Sequence, residues 1–124
     1  MEDSKQFILI VDDEETIRDL LKQLLELNDY KTVLASNGME ALEIYKNQGA
    51  SIDLIITDLG LPLMNGRELG EAVKALNPDA KMIITTGFVG QEKFDELMRV
   101  GFMEIIRKPF DIRQVILSVK KALA

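Results

Sequence analysis

The chain has 124 residues, a formal net charge of −6, and neither histidine nor cysteine. That length makes one ordinary domain whose core can hold without staples. The missing cysteines exclude a disulfide framework, a thiolate nucleophile and thiolate-bound zinc or iron–sulfur, and the missing histidines exclude an imidazole base, a Ser-His-Asp triad and an imidazole-bound metal.

Hydrophobic residues are 47% and charged residues 29%, which is ordinary globular usage. The acidic balance weighs against direct nucleic-acid binding, which normally shows a basic surface. No apolar run approaches the ~20 residues of a membrane span. The acidic N-terminus, residues 1–5, leads into only five apolar residues and is no signal peptide. The expectation is a soluble, cytoplasmic protein without a membrane partner.

The first element is the apolar run Phe7-Ile8-Leu9-Ile10-Val11, which stops at Asp12-Asp13 and reads as a strand buried on both faces. Ile17, Leu20, Leu21, Leu24 and Leu27 then follow at helical spacing. A second strand is predicted over residues 32–35, and Ala41, Leu42 and Tyr45 form a shorter helical stripe. The third strand, residues 54–57, ends before Asp58. Leu69, Val73 and Leu76 make the next helix, stopped by Asn77-Pro78. Residues 82–85 form the fourth strand, followed by a helix with Phe94, Leu97 and Met98 that ends at Gly101. Glu104-Ile105-Ile106-Arg107 is the fifth strand. The last helix carries Ile112, Val115, Ile116, Val119 and Leu123, with Asp111 as its N-cap. Five strands alternating with five helices predict a parallel α/β sheet covered on both faces, and nothing resembling a linker or repeat divides residues 1–124.

In such sheets the working site lies beyond the carboxyl ends of the strands. Those ends carry Asp12 and Asp13, then Asp58, then Thr86 and Gly87, then Lys108-Pro109. Three carboxylates in one crevice repel each other unless a hard cation joins them, and Mg²⁺ takes oxygen ligands of this kind. Three carboxylates, a divalent ion and Lys108 also sum to zero charge, so the site is suited to a phosphoryl group. With no His or Cys to act, a carboxylate is the nucleophile, and the product is an acyl phosphate. Asp58 is the candidate. Asp12 and Asp13 would hold the metal, Thr86 would hydrogen-bond one phosphoryl oxygen, and Lys108 would pair with another.

Val11-Asp12-Asp13-Glu14, Asp58-Leu59-Gly60-Leu61-Pro62 with Asn65-Gly66, Thr86-Gly87 and Lys108-Pro109-Phe110 resemble, in order and spacing, the receiver domain of two-component response regulators. The resemblance spans nearly the whole chain. It implies a flavodoxin-like, doubly wound five-stranded sheet of order 2-1-3-4-5 with five helices. Asp58 is then the phosphoacceptor, with Mg²⁺ bound by Asp13, Asp58 and the Gly60 carbonyl and with Asp12 acting through water. Thr86 and Lys108 would bind the phosphoryl group, and Lys108–Pro109 would be cis. The implied donor is the phosphohistidine of a sensor histidine kinase, or of the kinase core of the same hybrid protein, or a small donor such as acetyl phosphate. An unidentified output partner would read the change on the fourth helix, fifth strand and fifth helix. Because the chain has no histidine, any phosphohistidine donor lies outside these residues.

The chain departs from the family three residues before Lys108, where an aromatic is usual and Ile105 stands. A switch at Thr86 would then work without a swinging ring. Phe102 replaces the usual small residue after Gly101 and reads as core filling or as a relocated switch. Gly60 leaves open the path of a water attacking the phosphoryl group, while Phe88 could cover it. Taken singly, Asp12, Asp13 and Asp58 also read as caps or loop acids, Thr86 as a turn hydroxyl and Lys108 as a surface lysine. The methionines read as core or as partner surface, and Glu92, Lys93, Asp95, Glu96 and Arg99 as a solvated or docking face.

Three other functions compete. A Mg²⁺-dependent aspartyl phosphatase of the haloacid dehalogenase type would need an acid at Gly60 and a cap domain. A flavin binder would need a hydroxyl-rich cradle where Asp12-Asp13-Glu14-Glu15 stand. A receiver that binds partners without phosphorylation would usually lack an acid or the lysine. The expected chemistry is self-phosphorylation and slow autodephosphorylation, not turnover. The chain reads either as a stand-alone receiver or as a segment of a longer protein.

Overall fold

The structure, a computed structural model, describes residues 5–87 and 90–124. Residues 1–4 and Phe88, the expected cover of the water path, lie outside them. Five strands, β1 (Phe7–Val11), β2 (Lys31–Ala35), β3 (Leu54–Asp58), β4 (Met82–Thr86) and β5 (Glu104–Arg107), alternate with α1 (Glu15–Leu27), α2 (Gly38–Gln48), α3 (Gly66–Leu76), α4 (Gln91–Val100) and α5 (Ile112–Ala122). All four strand pairs are parallel, in the order β2-β1-β3-β4-β5. That is the expected order, and Lys108–Pro109 is cis.

Strand alternation divides the core into two layers. Leu9, Val11, Ile55, Met82 and Ile84 face Ala41, Tyr45, Leu69, Val73 and Leu97 of α2, α3 and α4. Ile8, Ile10, Leu54, Ile56, Ile83 and Ile106 face Leu21, Leu25, Val115 and Val119 of α1 and α5. The inner strands are therefore apolar from Phe7 to Val11, Leu54 to Ile56 and Met82 to Ile84, because both of their faces are covered, and polar only at the carboxyl ends of β3 and β4.

Three strand boundaries differ from expectation: β2 begins one residue earlier, at Lys31, which pairs with Phe7. β3 and β4 each run one residue further, through Asp58 and Thr86, because the ladders continue to the pairs Asp58↔Thr85 and Thr86↔Arg107. The buried ridge of α1 is narrower than its leucine stripe. Leu21 and Leu25, one turn apart, enter the core, while Leu20 is half-exposed and Leu27 is 82% exposed on the last turn. Leu25 was not in the predicted stripe.

Caps end the helices where the sequence supplies oxygens. Asn65 and Glu68 form a reciprocal capping box at α3, and the Asp111 carboxylate accepts from the Arg113 N–H at α5. Phe102 is buried, at 2% exposure, against Gly70 of α3. A methyl group on Gly70 would stand 2.6 Å from the Phe102 ring. Phe102 thus fills the core, and Ile105 packs half-buried against the same cluster. Met82 is core, whereas Met98 and Met103 lie on the surface. Among the described residues, no helix is long and apolar enough to cross a membrane.

Candidate phosphoacceptor site

The register of the sheet brings the strand ends to one edge. β1 stops after Val11 and the chain bends at Asp12–Asp13 into α1. β3, beside it, ends on Asp58, which has the parity of Leu54 and Ile56. Carboxylate oxygens of Asp12, Asp13 and Asp58 all lie within 4.8 Å of one another. Asp12 and Asp58 are buried, and Asp13 is exposed.

Lys108 reaches into this cluster from beyond β5. Its Nζ lies 2.9 Å from Asp12 Oδ2, 3.4 Å from Asp58 Oδ1 and 3.9 Å from Glu14 Oε1. The Lys108 backbone N–H donates to the Thr86 carbonyl at 2.7 Å, which joins the ends of β4 and β5. Thr86 is buried one residue past Thr85, the cross-strand partner of Asp58. It is not hydrogen-bonded to the acids in this structure. Asp12 does not cap α1: the N-cap is Glu14, which makes no side-chain cap. Asp12 Oδ1 instead accepts from the Glu14 N–H at 2.9 Å.

The electrostatics follow from crowding. Burial pushes the Asp58 carboxyl above its usual range, Lys108 opposes the rise, and the charges of Asp12 and Asp13 add to it. Burial alone would lower Lys108, but the hydrogen bond and charge of Asp12, and then Asp58, outweigh it and hold the ammonium above its ordinary value. The arrangement already gathers a cation among carboxylates. An all-oxygen donor set with an ammonium drawn into it suits a small hard cation.

The loop after Asp58 sets the rim. Leu59 N–H donates to the Thr85 carbonyl, and Gly66 N–H to the Leu59 carbonyl, folding the loop back on the strand end. Gly66 is obligatory in this path, since a Cβ there would collide with the Asp58 carbonyl oxygen. Gly38, at the start of α2, meets the Met64 carbonyl in the same way. Gly60 is exposed, with open space where a Cβ would stand. Sequence reasoning missed the reach of Glu14 to Lys108, both glycine contacts, and Arg18, whose Nη1 donates to the Asp12 carbonyl at 2.7 Å. An arginine six positions past an aspartate carries no periodic signal, so nothing in the pattern marked it.

A doubly wound sheet with an acid cluster and a lysine at its carboxyl edge defines a receiver-type module. The family model for the response regulator receiver domain matches residues 8–120, and the chain belongs to that family, the receiver modules of two-component signal transduction. Sporulation initiation phosphotransferase F of Bacillus subtilis is 34% identical over 94% of this chain and 92% of its own length. Chemotaxis protein CheY of Halobacterium salinarum is 32% identical over 94% of this chain and 95% of its own. The crystal structure of a CheY-like receiver domain protein from Methanospirillum hungatei JF-1 superimposes with a TM-score of 0.91 at 34% identity, over 97% of this chain and 94% of that one. The chain spans only 12–30% of the length of several other curated relatives.

Proposed function

We propose that Asp58 is the phosphoacceptor. The observation that carries this reading is the convergence of Asp12, Asp13 and Asp58 within 4.8 Å, with the Lys108 ammonium among them. A carboxylate oxygen of Asp58 attacks phosphorus in line with the leaving group. The bond from phosphorus to the donor, a kinase phosphohistidine nitrogen or the acyl oxygen of acetyl phosphate, breaks as the new P–O bond forms. The donor leaves with its electron pair and takes a proton where it needs one.

Asp13, Asp58 and the Gly60 carbonyl would hold Mg²⁺, with Asp12 acting through water. The bound ion supplies charge neutralisation for the transferring group. Burial, with the charges of Asp12 and Asp13 adding to it against Lys108, makes Asp58 more basic than an ordinary carboxylate, and so more nucleophilic. Lys108 would exchange its Asp58 contact for a phosphoryl oxygen, and the Thr86 hydroxyl would turn to another. The backbone bond from Lys108 to Thr86 ties those two responses together. With Ile105 in place of a ring, the change would travel by movement of Thr86 and its loop, and the face formed by α4, β5 and α5 would present it to an output partner.

This reading makes residues 1–124 a single receiver domain that self-phosphorylates and slowly loses the group, without turnover of a substrate. Its partners would be a sensor histidine kinase, or the kinase core of a hybrid protein, and an output protein or domain. Intact mass after incubation with acetyl phosphate and Mg²⁺ tests it. The wild type should gain one phosphoryl mass and Asp58→Asn none. A wild type that gains nothing, or a variant that gains as much, would overturn it.

A further inference from the structure

Asp13 is the one member of the cluster that no side chain holds. It is exposed and takes part in no hydrogen bond or ion pair among the described residues. Its position is therefore set by the two peptide planes on either side. The plane after it carries the Glu14 N–H, which donates to Asp12 Oδ1 at 2.9 Å. The plane before it carries the Asp12 carbonyl, and the group that holds this carbonyl is the Arg18 guanidinium, at 2.7 Å. Asp12 itself is pinned elsewhere, by its own N–H to the Ala35 carbonyl and by Lys108 on Oδ2. Arg18 makes no ion pair among the described residues, although Asp12, Asp13, Glu14, Glu15 and Asp19 all lie within six positions of it. Its contact is with backbone, where charge recognition alone would have chosen a carboxylate.

We propose that Arg18 is the positioning residue of this cation site: by fixing the Asp12–Asp13 peptide plane it aims the otherwise unsupported Asp13 carboxylate. The inference rests on the reading of Asp13 as a metal ligand. Its sign is opposite to that of simple electrostatics. A nearby positive charge repels a cation, so deleting it should tighten binding. Losing a group that orients a ligand typically weakens metal affinity by about 10–100-fold.

Calorimetric titration with MgCl₂ on the wild type, Arg18→Met and Arg18→Lys separates the two. Arg18→Met keeps most of the aliphatic stem, and Arg18→Lys keeps the charge and a donor. The expected result is Mg²⁺ binding weakened about tenfold or more in Arg18→Met and largely recovered in Arg18→Lys. With acetyl phosphate, the half-saturating Mg²⁺ should rise by the same factor while the rate at saturating Mg²⁺ stays within about twofold, since the site would be loosened and not dismantled. Binding unchanged or tighter in Arg18→Met would overturn the proposal. So would a saturating rate that collapses in step with affinity, which would place Arg18 on the phosphoryl group instead. Melting in EDTA checks that Arg18→Met is folded; if it is not, Arg18→Gln replaces it with the same expected weakening. A wild type that binds no Mg²⁺ would sink the metal reading itself, and this inference with it.

Discussion

Replacing Lys108 with methionine removes the ammonium from the acid cluster while keeping a stem of similar volume. The variant leaves Asp12, only 1% exposed, without its 2.9 Å partner on Oδ2. At that separation and an effective dielectric near 20, the lost attraction is about 6 kcal/mol before desolvation is counted. Breaking a fully buried pair costs about 3–5 kcal/mol net. Here the Lys108 side chain is 20% exposed, so water can take its place, and Asp12 keeps the Glu14 N–H on Oδ1. The net loss should be about 2 kcal/mol at neutral pH, below the fully buried range. For a chain of this size that lowers Tm by roughly 8 °C. Because the folded state holds the Lys108 pKa above 10.5, its contribution is complete below that pH and fades as pH rises through the folded value. The gap between wild type and variant should therefore close in strong alkali. Thermal melts in EDTA and in Mg²⁺ provide the assay. Mg²⁺ should raise Tm more in Lys108→Met than in the wild type, since the ion no longer competes with an ammonium for the same oxygens. A variant that melts with the wild type in EDTA, or that gains no more from Mg²⁺, would refute the reasoning.

Asp58→Asn should stabilise the metal-free protein at pH 7, because the folded state raises the Asp58 pKa above 3.8 and so disfavours the charged form above that range. Urea melts should show the gain at pH 7 and its loss near pH 3, where the carboxyl is neutral in both states. Phe102→Ala should cost about 3–5 kcal/mol, as for a buried aromatic left as a cavity. Gly70→Ala should cost about 1–3 kcal/mol by overpacking against that ring, and Phe102→Leu in the same chain should recover part of it, which a double-mutant cycle measures. Asn65→Ala removes one half of the α3 capping box and should cost about 1 kcal/mol by denaturant midpoint.

The strands were legible because they are short β-branched runs bounded by acids or turns, and the sheet order followed once the strand-end motifs were aligned with a known family. Four residues of the acid–lysine cluster were legible for the same reason: Asp12, Asp13, Asp58 and Lys108 each end or follow a strand, where a charge beside an apolar run is conspicuous. Thr86 was placed correctly at the edge, but its strand runs one residue longer than read, because its ladder pair with Arg107 is set by the neighbouring strand and not by the run itself. The α1 ridge misled because leucine is equally at home on a core face and beside it; only packing separates Leu25 from Leu27. The contacts of Arg18, Gly38 and Gly66 stayed hidden for a shared cause, although Gly66 itself stood among the quoted motifs. Each acts on a backbone atom of another segment, and backbone atoms have no letter in a sequence.

The two glycine contacts give the site an uneven stiffness. Gly66 rests on the carbonyl of Asp58, and Gly38 on the carbonyl and Cβ of Met64, so the starts of α3 and α2 stand closely against the β3–α3 loop. A group added to Asp58 finds no slack in that direction. On the opposite side, β4 and β5 are joined at their tips by the one bond from Lys108 to the Thr86 carbonyl. If Asp58 takes a phosphoryl group as proposed, the room for it would lie toward β4 and β5, and Gly38 and Gly66 would set that direction.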